Sequence, residues 1–264
     1  MGAAVGVGRG RSALADPGVV GVSSAAALGA VAVLIFASGL GPWGGFGGAM
    51  AAAAGAMALL TALTWWRRGQ TQDAVGFVLA GTVLASLAAA LTAFLISLAP
   101  NPYAVAAAID WLMGALTDRS WDDLARAVPF VAAGMALLFA TGRALDALTL
   151  GEEAARSLGV SVRRTQLLVV FGTGLAVGAS VAVTGVVGFV GLVVPHLLRP
   201  LVGGRPSALL VPSALGGAAL MLAADSLCRL APGAGEVRLG VAMALLGAPF
   251  FLWLLAKREA RGWT

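Results

Sequence analysis

Long apolar runs recur from one end of the chain to the other, and they constrain its fold more than any other feature. A helix needs about 20 apolar residues to cross the hydrocarbon core, where its backbone must close its own hydrogen bonds. Hydrophobic residues make up 59% of the sequence and charged residues only 11%, which is not the composition of a water-soluble domain. The sequence therefore predicts an all-α polytopic membrane protein, with residues 1–264 forming one transmembrane domain.

Turn residues and charges divide the apolar runs into eight predicted spans. In chain order these cover about residues 22–38, 49–66, 74–98, 124–141, two crossings within 166–200, then 207–228 and 237–256. The glycine-rich residues 39–48 are predicted to form a loop. The apolar run at 103–114 is too short to cross, so we expect an interfacial helix there.

Residues 166–200 decide the number of crossings, because this stretch is long for one span and tight for two. With two crossings, thirteen of the 17 basic residues lie on one side of the membrane and four on the other. With one crossing, the split becomes ten to seven. The positive-inside rule favours two, the second being short and bounded by Pro195. Both termini and residues 149–165 are then expected on the cytoplasmic side of the cell (plasma or inner) membrane.

Residues 149–165 form the longest markedly polar segment of the chain. Thr149 and Glu152 have the spacing of a capping box, and Gly159 stands where a helix of about two turns should end. Glu152 and Arg156 are four residues apart in the order that favours an ion pair. This pattern predicts a short helix outside the membrane.

The same helix is predicted to place Ala155 and Leu158 on one face, as a small apolar patch for a partner. Ser161 is expected to cap a further helix that carries Arg163 and Arg164. Spacing alone does not decide between a docking helix and an ordinary solvated loop helix.

Glycine spacing indicates close helix packing in the second half of the chain. Gly174 and Gly178 form a GxxxG pair, and Gly185, Gly188 and Gly191 recur at every third residue. Such glycines let helix backbones approach each other in lipid. A chain rich in glycine and alanine also produces these spacings by chance, so the pattern predicts a compact bundle and no substrate.

Few residues are candidates for chemistry. His196 is the only histidine; beside Pro195 and without nearby carboxylates or cysteines, it is predicted to be structural. Asp225 lies four residues before Arg229, so it is either a functional carboxylate at membrane depth or half of an ion pair. Four further carboxylates without calcium-loop spacing are expected to form a solvated rim: Asp110, Asp118, Asp122 and Asp123.

The sequence contains no P-loop, nucleophile elbow or HExxH motif. Its single cysteine, Cys228, belongs to no metal pattern. We therefore predict no catalytic residue, no metal site and no cofactor in this chain, and no nucleic-acid partner. The sequence has the character of a membrane subunit whose energy is supplied by another protein.

From Leu14 to the C-terminus the sequence resembles the FecCD family, the membrane permeases of ABC importers for ferric siderophores, haem and cobalamin. The most specific matching stretch is GVVGFVGLVVPHLLRPLVG at 185–203. Other matches, in chain order, are LADPGVVGVSSAAALGA at 14–30, VLAGTVLASLAAALTAF at 78–94, DWLMGALTDRSWDDL at 110–124, LGEEAARSLGV at 150–160, LLVPSALGGAALMLAADSLCRL at 209–230 and GVAMALLGAPFFLWLL at 240–255.

The resemblance implies a permease that moves substrate by alternating access. Two permease subunits, identical or related, would pair around a central pathway, each on a cytoplasmic ATPase subunit that carries ATP and Mg. An extracytoplasmic binding protein would deliver the substrate.

The resemblance also implies roles for particular residues. The residues expected to couple to the ATPase are Gly151, Glu152, Glu153, Ala155, Arg156, Leu158, Gly159, Arg163 and Arg164. Binding-protein docking is expected at Arg229 and Glu236. The residues that match regions near the cytoplasmic gate are Leu14, Asp16, Ala74 and Val75.

The sequence departs from the family pattern in three places. Family members usually carry two further spans before the first one here, so the resemblance is to an N-terminally short member. Ser12-Ala13 stands where Asn-Pro is usual, and residues 236–240 lack the proline of Glu-Leu-Pro-Val-Gly. Two alternatives therefore remain open: a secondary transporter driven by an ion gradient, and a truncated homologue that transports nothing.

Overall fold

The computed structural model describes residues 21–66, 74–203, 205–230 and 237–261, and these are helical with no strand among them. In chain order the α-helices are α1 Val22–Phe36, α2 Gly41–Trp66, α3 Ala74–Ser97, α4 Pro102–Leu112, α5 Trp121–Ala140, α6 Gly142–Leu148, α7 Glu152–Ser157, α8 Val162–Thr184, α9 Val190–Leu198, α10 Pro206–Leu230 and α11 Leu239–Arg261. Two 3₁₀ turns, Ser38–Leu40 and Arg199–Val202, precede α2 and follow α9.

The apolar helices correspond to the predicted spans. Within the part of the chain that the structure describes, five are long and apolar enough to cross a membrane: Trp43–Ala62, Leu79–Ser97, Trp121–Ala140, Val162–Thr184 and Pro206–Leu230. Three are shorter: Val22–Phe36, Val190–Val202 and Leu239–Trp253. The predicted division of 166–200 into a long and a short helix is confirmed, with the break at 185–189. Pro195, which was expected to bound the short helix, lies inside it.

The predicted loop at 39–48 is wrong, because α2 begins at Gly41 and most of the glycines lie inside its first turns. Two glycines allow α1 and α2 to touch backbone to backbone. A Cβ on Gly29 would lie 2.1 Å from the carbonyl oxygen of Gly48, and a Cβ on Gly48 would lie 2.6 Å from that of Gly29. Glycine, which often indicates a turn, here allows two helices to cross at close range.

Helix α8 lies at the centre of the bundle, packed against α1, α2 and α5. The predicted GxxxG packing is confirmed: Gly174 faces Met57 of α2, and Gly178 faces Ala53. On the other side, a Cβ on Gly134 of α5 would come within 2.6 Å of the Gly172 carbonyl.

The helix predicted at 103–114 is confirmed as α4, which Asn101 caps by accepting a hydrogen bond from the N–H of Ala104 at 2.9 Å. Beyond it, Gly114, Gly185 and Gly240 bring three chain segments together, and we call these residues the glycine junction. The N–H of Ala115 donates to Thr184 O at 2.8 Å, and that of Gly240 donates to Gly114 O at 3.3 Å. A Cβ on Gly185 would lie 2.2 Å from the carbonyl oxygen of Trp111.

Helix α8 therefore runs from the end of the bundle that holds α7 (the α7 end) to the end that holds α4 (the α4 end). At its far end the chain breaks, and Phe189 adopts a left-handed backbone conformation with φ of 66°. The side chain of Phe189 packs where Gly247 of α11 leaves space. Helices α9, α10 and α11 then complete the bundle.

Candidate functional site

The polar segment predicted as a docking element is a chain of short helices between two long ones. Helix α6 follows α5 after Thr141, α7 follows after a turn, and α8 begins at Val162. The N–H groups of Thr149, Leu150 and Gly151 donate to the carbonyls of residues 146, 147 and 148 at 3.1 to 3.2 Å. Helices α6 and α7 are thus joined by consecutive hydrogen-bonded turns.

The predicted capping box at Thr149 and Glu152 is wrong. Thr149 has α-helical dihedral angles as the C-cap residue of α6, and its hydroxyl donates to Asp146 O at 2.7 Å. Gly151, with φ of 102°, is the N-cap of α7, and no side chain caps that end. The local pattern fails because a preceding helix extends as far as Thr149.

The predicted end of the helix at Gly159 is confirmed. Gly159 has φ of 82°, a conformation that favours glycine. Its N–H donates to Arg156 O at 2.9 Å, and the N–H of Val160 donates to Ala155 O at 2.9 Å. This pair of bonds is the Schellman motif, which satisfies the last carbonyls and turns the chain towards α8.

The charged pair on α7 is confirmed and faces outwards. An N–H of Arg156 donates to Glu152 Oε2 at 3.2 Å, and the two side chains are 65% and 45% exposed. An exposed pair of this kind stabilises a fold by less than about 1 kcal/mol. Glu153 beside it is also exposed, so the charges on α7 are available to a partner.

The expected apolar patch is only partly present. Ala155 is completely buried, whereas Leu158 is 64% exposed. Leu158 lies after the last helical residue, so the helical period does not carry it onto the face of Ala155. Leu150 is equally exposed, at 64%, on the other side of α7. We call the five outward residues the α7 surface: Leu150, Glu152, Glu153, Arg156 and Leu158.

The start of α8 adds positive charge next to the α7 surface. As predicted, Ser161 caps this helix, and its hydroxyl accepts a hydrogen bond from the N–H of Arg164 at 3.3 Å. Arg163 and Arg164 are exposed in the first turn. Five residues line a groove of about 290 Å³ here: Arg156, Val160, Ser161, Val162 and Arg163.

One contact ties this segment to a distant part of the chain. The Asp146 carboxylate accepts hydrogen bonds from the N–H of Ser207 at 2.9 Å and from its hydroxyl, across 61 residues of sequence. Gly142, one turn earlier on α6, leaves room for this approach, since its Cβ would lie 3.3 Å from Cβ of Ser207. Asp146 was not predicted from the sequence, because its local surroundings mark it only as one more polar residue of α6.

Arg229, one of the two residues expected to meet a binding protein, lies at the α4 end. Its Nε donates to Asp225 Oδ2 at 2.7 Å, so the ion pair within α10, one of the two alternatives given for Asp225, is present. The Arg229 side chain is 54% exposed and that of Asp225 only 16%. Glu236, Leu14 and Asp16 lie outside the described residues. Ala74 and Val75 begin α3.

The remaining candidates are spread over the bundle. Of the four rim carboxylates, Asp110 pairs with Arg238 at 2.5 Å and Asp123 with Arg126 at 2.5 Å, while Asp118 and Asp122 lie at other positions of the same end. His196 is half-buried in the last turn of α9, directly after the buried Pro195. Within the described ranges, no three His, Cys, Asp or Glu side chains form a group able to hold a metal ion.

Known proteins are similar to this chain in both sequence and fold. The sequence matches the FecCD transport family over residues 11–257. BtuC, a cobalamin import system permease protein from Halobacterium salinarum, is 41% identical over 255 residues, which are 95% of this chain and 66% of that protein. HmuU, a hemin transport system permease protein from Yersinia pestis, is 36% identical over 95% of this chain and 75% of its own length.

Among solved structures, one is described as an inward-facing conformation of a proposed metal-chelate type ABC transporter. It aligns with a TM-score of 0.86 and 30% identity, over 97% of this chain and 81% of the matched chain. Of the Halobacterium protein, by comparison, this chain spans about two thirds of the length.

Proposed function

The chain belongs to the FecCD transport family, and from this membership we propose that it is the permease subunit of an ATP-driven importer. Its substrate class is a metal chelate: a cobalamin, a haem or a ferric siderophore. The named relatives are permease proteins of a cobalamin import system and a hemin transport system, which supports this substrate class without selecting one compound within it. ATP and Mg are held by a separate ATPase subunit, and a second permease subunit completes the pathway.

The observation that carries this proposal is the α7 surface. Its charges and two leucines face outwards from a helix that is fixed at its end by a Schellman motif and joined by hydrogen-bonded turns to α6. An ATPase subunit that seats on this surface would move α6 and α7 together. Closure of the ATPase pair around ATP would then rock the two permeases and alternate access to the pathway.

This orientation makes the α7 end cytoplasmic and the α4 end external. On the external side, Asp225 holds Arg229 by its Nε, so that the exposed guanidinium is positioned for a carboxylate of the binding protein. The similarity to permeases of a cobalamin import system and a hemin transport system, and to an ABC transporter of known structure, favours this proposal over a carrier driven by an ion gradient. Asp225, the carboxylate such a carrier would need, is already paired with Arg229.

The test removes the Glu152–Arg156 ion pair of the α7 surface. In an assembly reconstituted with its ATPase, Glu152→Ala/Arg156→Ala is expected to abolish the stimulation of ATP hydrolysis by substrate-loaded binding protein. Membrane insertion should be unchanged, because the exposed pair adds under about 1 kcal/mol to stability.

The matched control is the exchange Glu152→Arg/Arg156→Glu. It keeps an ion pair on α7 but reverses the charge pattern that a partner meets, so it should also lose stimulation. Full stimulation in either variant would contradict the proposed role of the α7 surface. Restoration by the exchange alone would show that the pair acts only within α7.

A further inference from the structure

The Asp146 carboxylate belongs to one helix and caps another. Asp146 lies in the last turn of α6, where a negative charge is unfavourable to that helix. Ser207 is near the start of α10, where unpaired N–H groups and the helix dipole favour a carboxylate. Through its two hydrogen bonds with Ser207, the carboxylate of this α6 residue caps the N-terminus of α10.

Asp146 is also joined by its main chain to the turn that precedes α7. Its carbonyl accepts hydrogen bonds from the N–H of Thr149 at 3.2 Å and from the Thr149 hydroxyl at 2.7 Å, in the turn that leads to α7. The same residue therefore holds the turn before α7 with its carbonyl and the start of α10 with its carboxylate. A displacement of α7 that moves this turn also moves the point at which α10 is held.

Helix α10 continues the path as half of a pair with α9. Near the α7 end, Leu209 and Leu210 pack with Leu198 and Val202. Near the α4 end, Ala224 belongs to a cluster that includes Val190 and Cys228. Pro212 interrupts the hydrogen bonding within α10, and the packing against α9 near both ends links the two halves of this helix.

We propose that Asp146 is the positioning residue through which movement of the α7 surface reaches α9 and α10, and through them Arg229 at the opposite end. This inference rests on the proposed function of the α7 surface as the seat of an ATPase. It assigns to one side-chain contact the communication between the ATPase and the binding-protein side.

The chain carries its own reporter of this movement. Cys228 is the only cysteine in the sequence, is half-buried, and directly precedes Arg229. In the assembly with its ATPase, the rate at which a maleimide labels Cys228, quantified on this chain by mass spectrometry, should differ between the nucleotide-free and the ATP-trapped states. We expect a difference of at least about fivefold, the lower range of coupling between two sites.

Asp146→Ala should remove that difference while the ATPase still co-purifies and still hydrolyses ATP at the basal rate. Asp146→Asn, which keeps one oxygen for the N–H of Ser207, should reduce the difference without removing it. This milder variant also serves if Asp146→Ala inserts poorly.

A second substitution separates coupling from simple helix capping. Arg205 is exposed, and its carbonyl accepts the hydrogen bond of Leu209 N–H, so it occupies the N-cap position of α10. Arg205→Ser supplies a local cap. In Asp146→Ala/Arg205→Ser the helix end is capped again but no longer held by α6, so the labelling difference should stay absent.

Two results would overturn the inference alone. One is a wild-type assembly that hydrolyses ATP while Cys228 is labelled at the same rate in the nucleotide-free and the ATP-trapped states. The other is a labelling difference that survives Asp146→Ala or returns with Arg205→Ser, which would reduce Asp146 to a helix cap. A wild-type chain that binds no ATPase at all would instead overturn the proposed function, and this inference with it.

Discussion

At the α4 end of the bundle three arginines pair with aspartates, whereas at the α7 end several charged side chains face outwards. Arg126 pairs with Asp123 at 2.5 Å, with side chains only 9% and 20% exposed, and lies 5.4 Å from the centre of the Trp43 ring. Glu152 and Arg156 on α7 form a longer and more exposed pair at 3.2 Å.

This difference separates two uses of charge. The Asp123–Arg126 pair lies within α5, where Ser120 and Asp123 form a capping box, and Arg126 also packs over Trp43 of α2, so its charges serve contacts within the chain. A pair that is exposed on a short helix adds little to the fold, so its arrangement is better explained by a partner. Substitutions at the two ends test whether the α7 end serves binding and the α4 end serves folding.

The largest effect is expected from the leucines of the α7 surface. Leu150→Asp/Leu158→Asp should weaken binding of the ATPase by about 100-fold, because charged residues would replace exposed apolar contacts at the centre of the interface. Co-purification and titration of the ATPase in detergent measure this. Leu201→Asp is the control, since Leu201 is 78% exposed in the turn after α9 and outside the α7 surface. Equal weakening by the control would contradict the assignment.

The next effect concerns folding at the α4 end. Gly240→Ala places a Cβ 2.3 Å from the carbonyl oxygen of Met113 and 2.6 Å from that of Val186, and neither backbone group moves easily. We expect a loss of about 1–3 kcal/mol in stability, as for overpacking elsewhere. Thermal unfolding in detergent measures it. Gly188→Ala is the matched control, because its Cβ would meet nothing within 4 Å; an equal loss there would contradict the role of the glycine junction.

A small effect is expected from the ion pair between α4 and α11. Asp110→Asn removes the partner of Arg238, which stands where the related family pattern has proline. The side chains of Arg238 and Asp110 are 29% and 51% exposed, so the loss should be no more than about 1 kcal/mol. The same thermal assay detects this, with Asp122→Asn as a control at an exposed carboxylate on α5. Weakened ATPase binding in Asp110→Asn would break the division between the two ends.

The sequence predicted the helices and the polar segment well, because both depend on local patterns. Hydrophobic length located the spans, and the asymmetry of arginines divided residues 166–200 as the structure does. The Glu152–Arg156 pair and the ending at Gly159 follow from spacing within one helix. Their functional roles stay predictions.

Features that depend on distant contacts were not predictable in this way. Nothing near Asp146 indicates that its carboxylate meets Ser207, 61 residues away. Thr149 has the spacing of a capping residue, but the preceding helix extends over it. The glycines at 39–48 suggested a turn because the turn propensity of a residue contains no information about a second helix that passes close to Gly48.

The shortness of α9 has a consequence for how such a chain can move. Nine helical residues rise about 14 Å, less than half of the roughly 30 Å of a hydrocarbon core. Close contacts with Trp111, Gly114 and Gly240 hold the irregular backbone between α8 and α9 in place. These contacts join backbone to backbone, and separating the three segments would break the hydrogen bonds from Ala115 to Thr184 and from Gly240 to Gly114. A working cycle must therefore carry the three segments as a block and flex elsewhere.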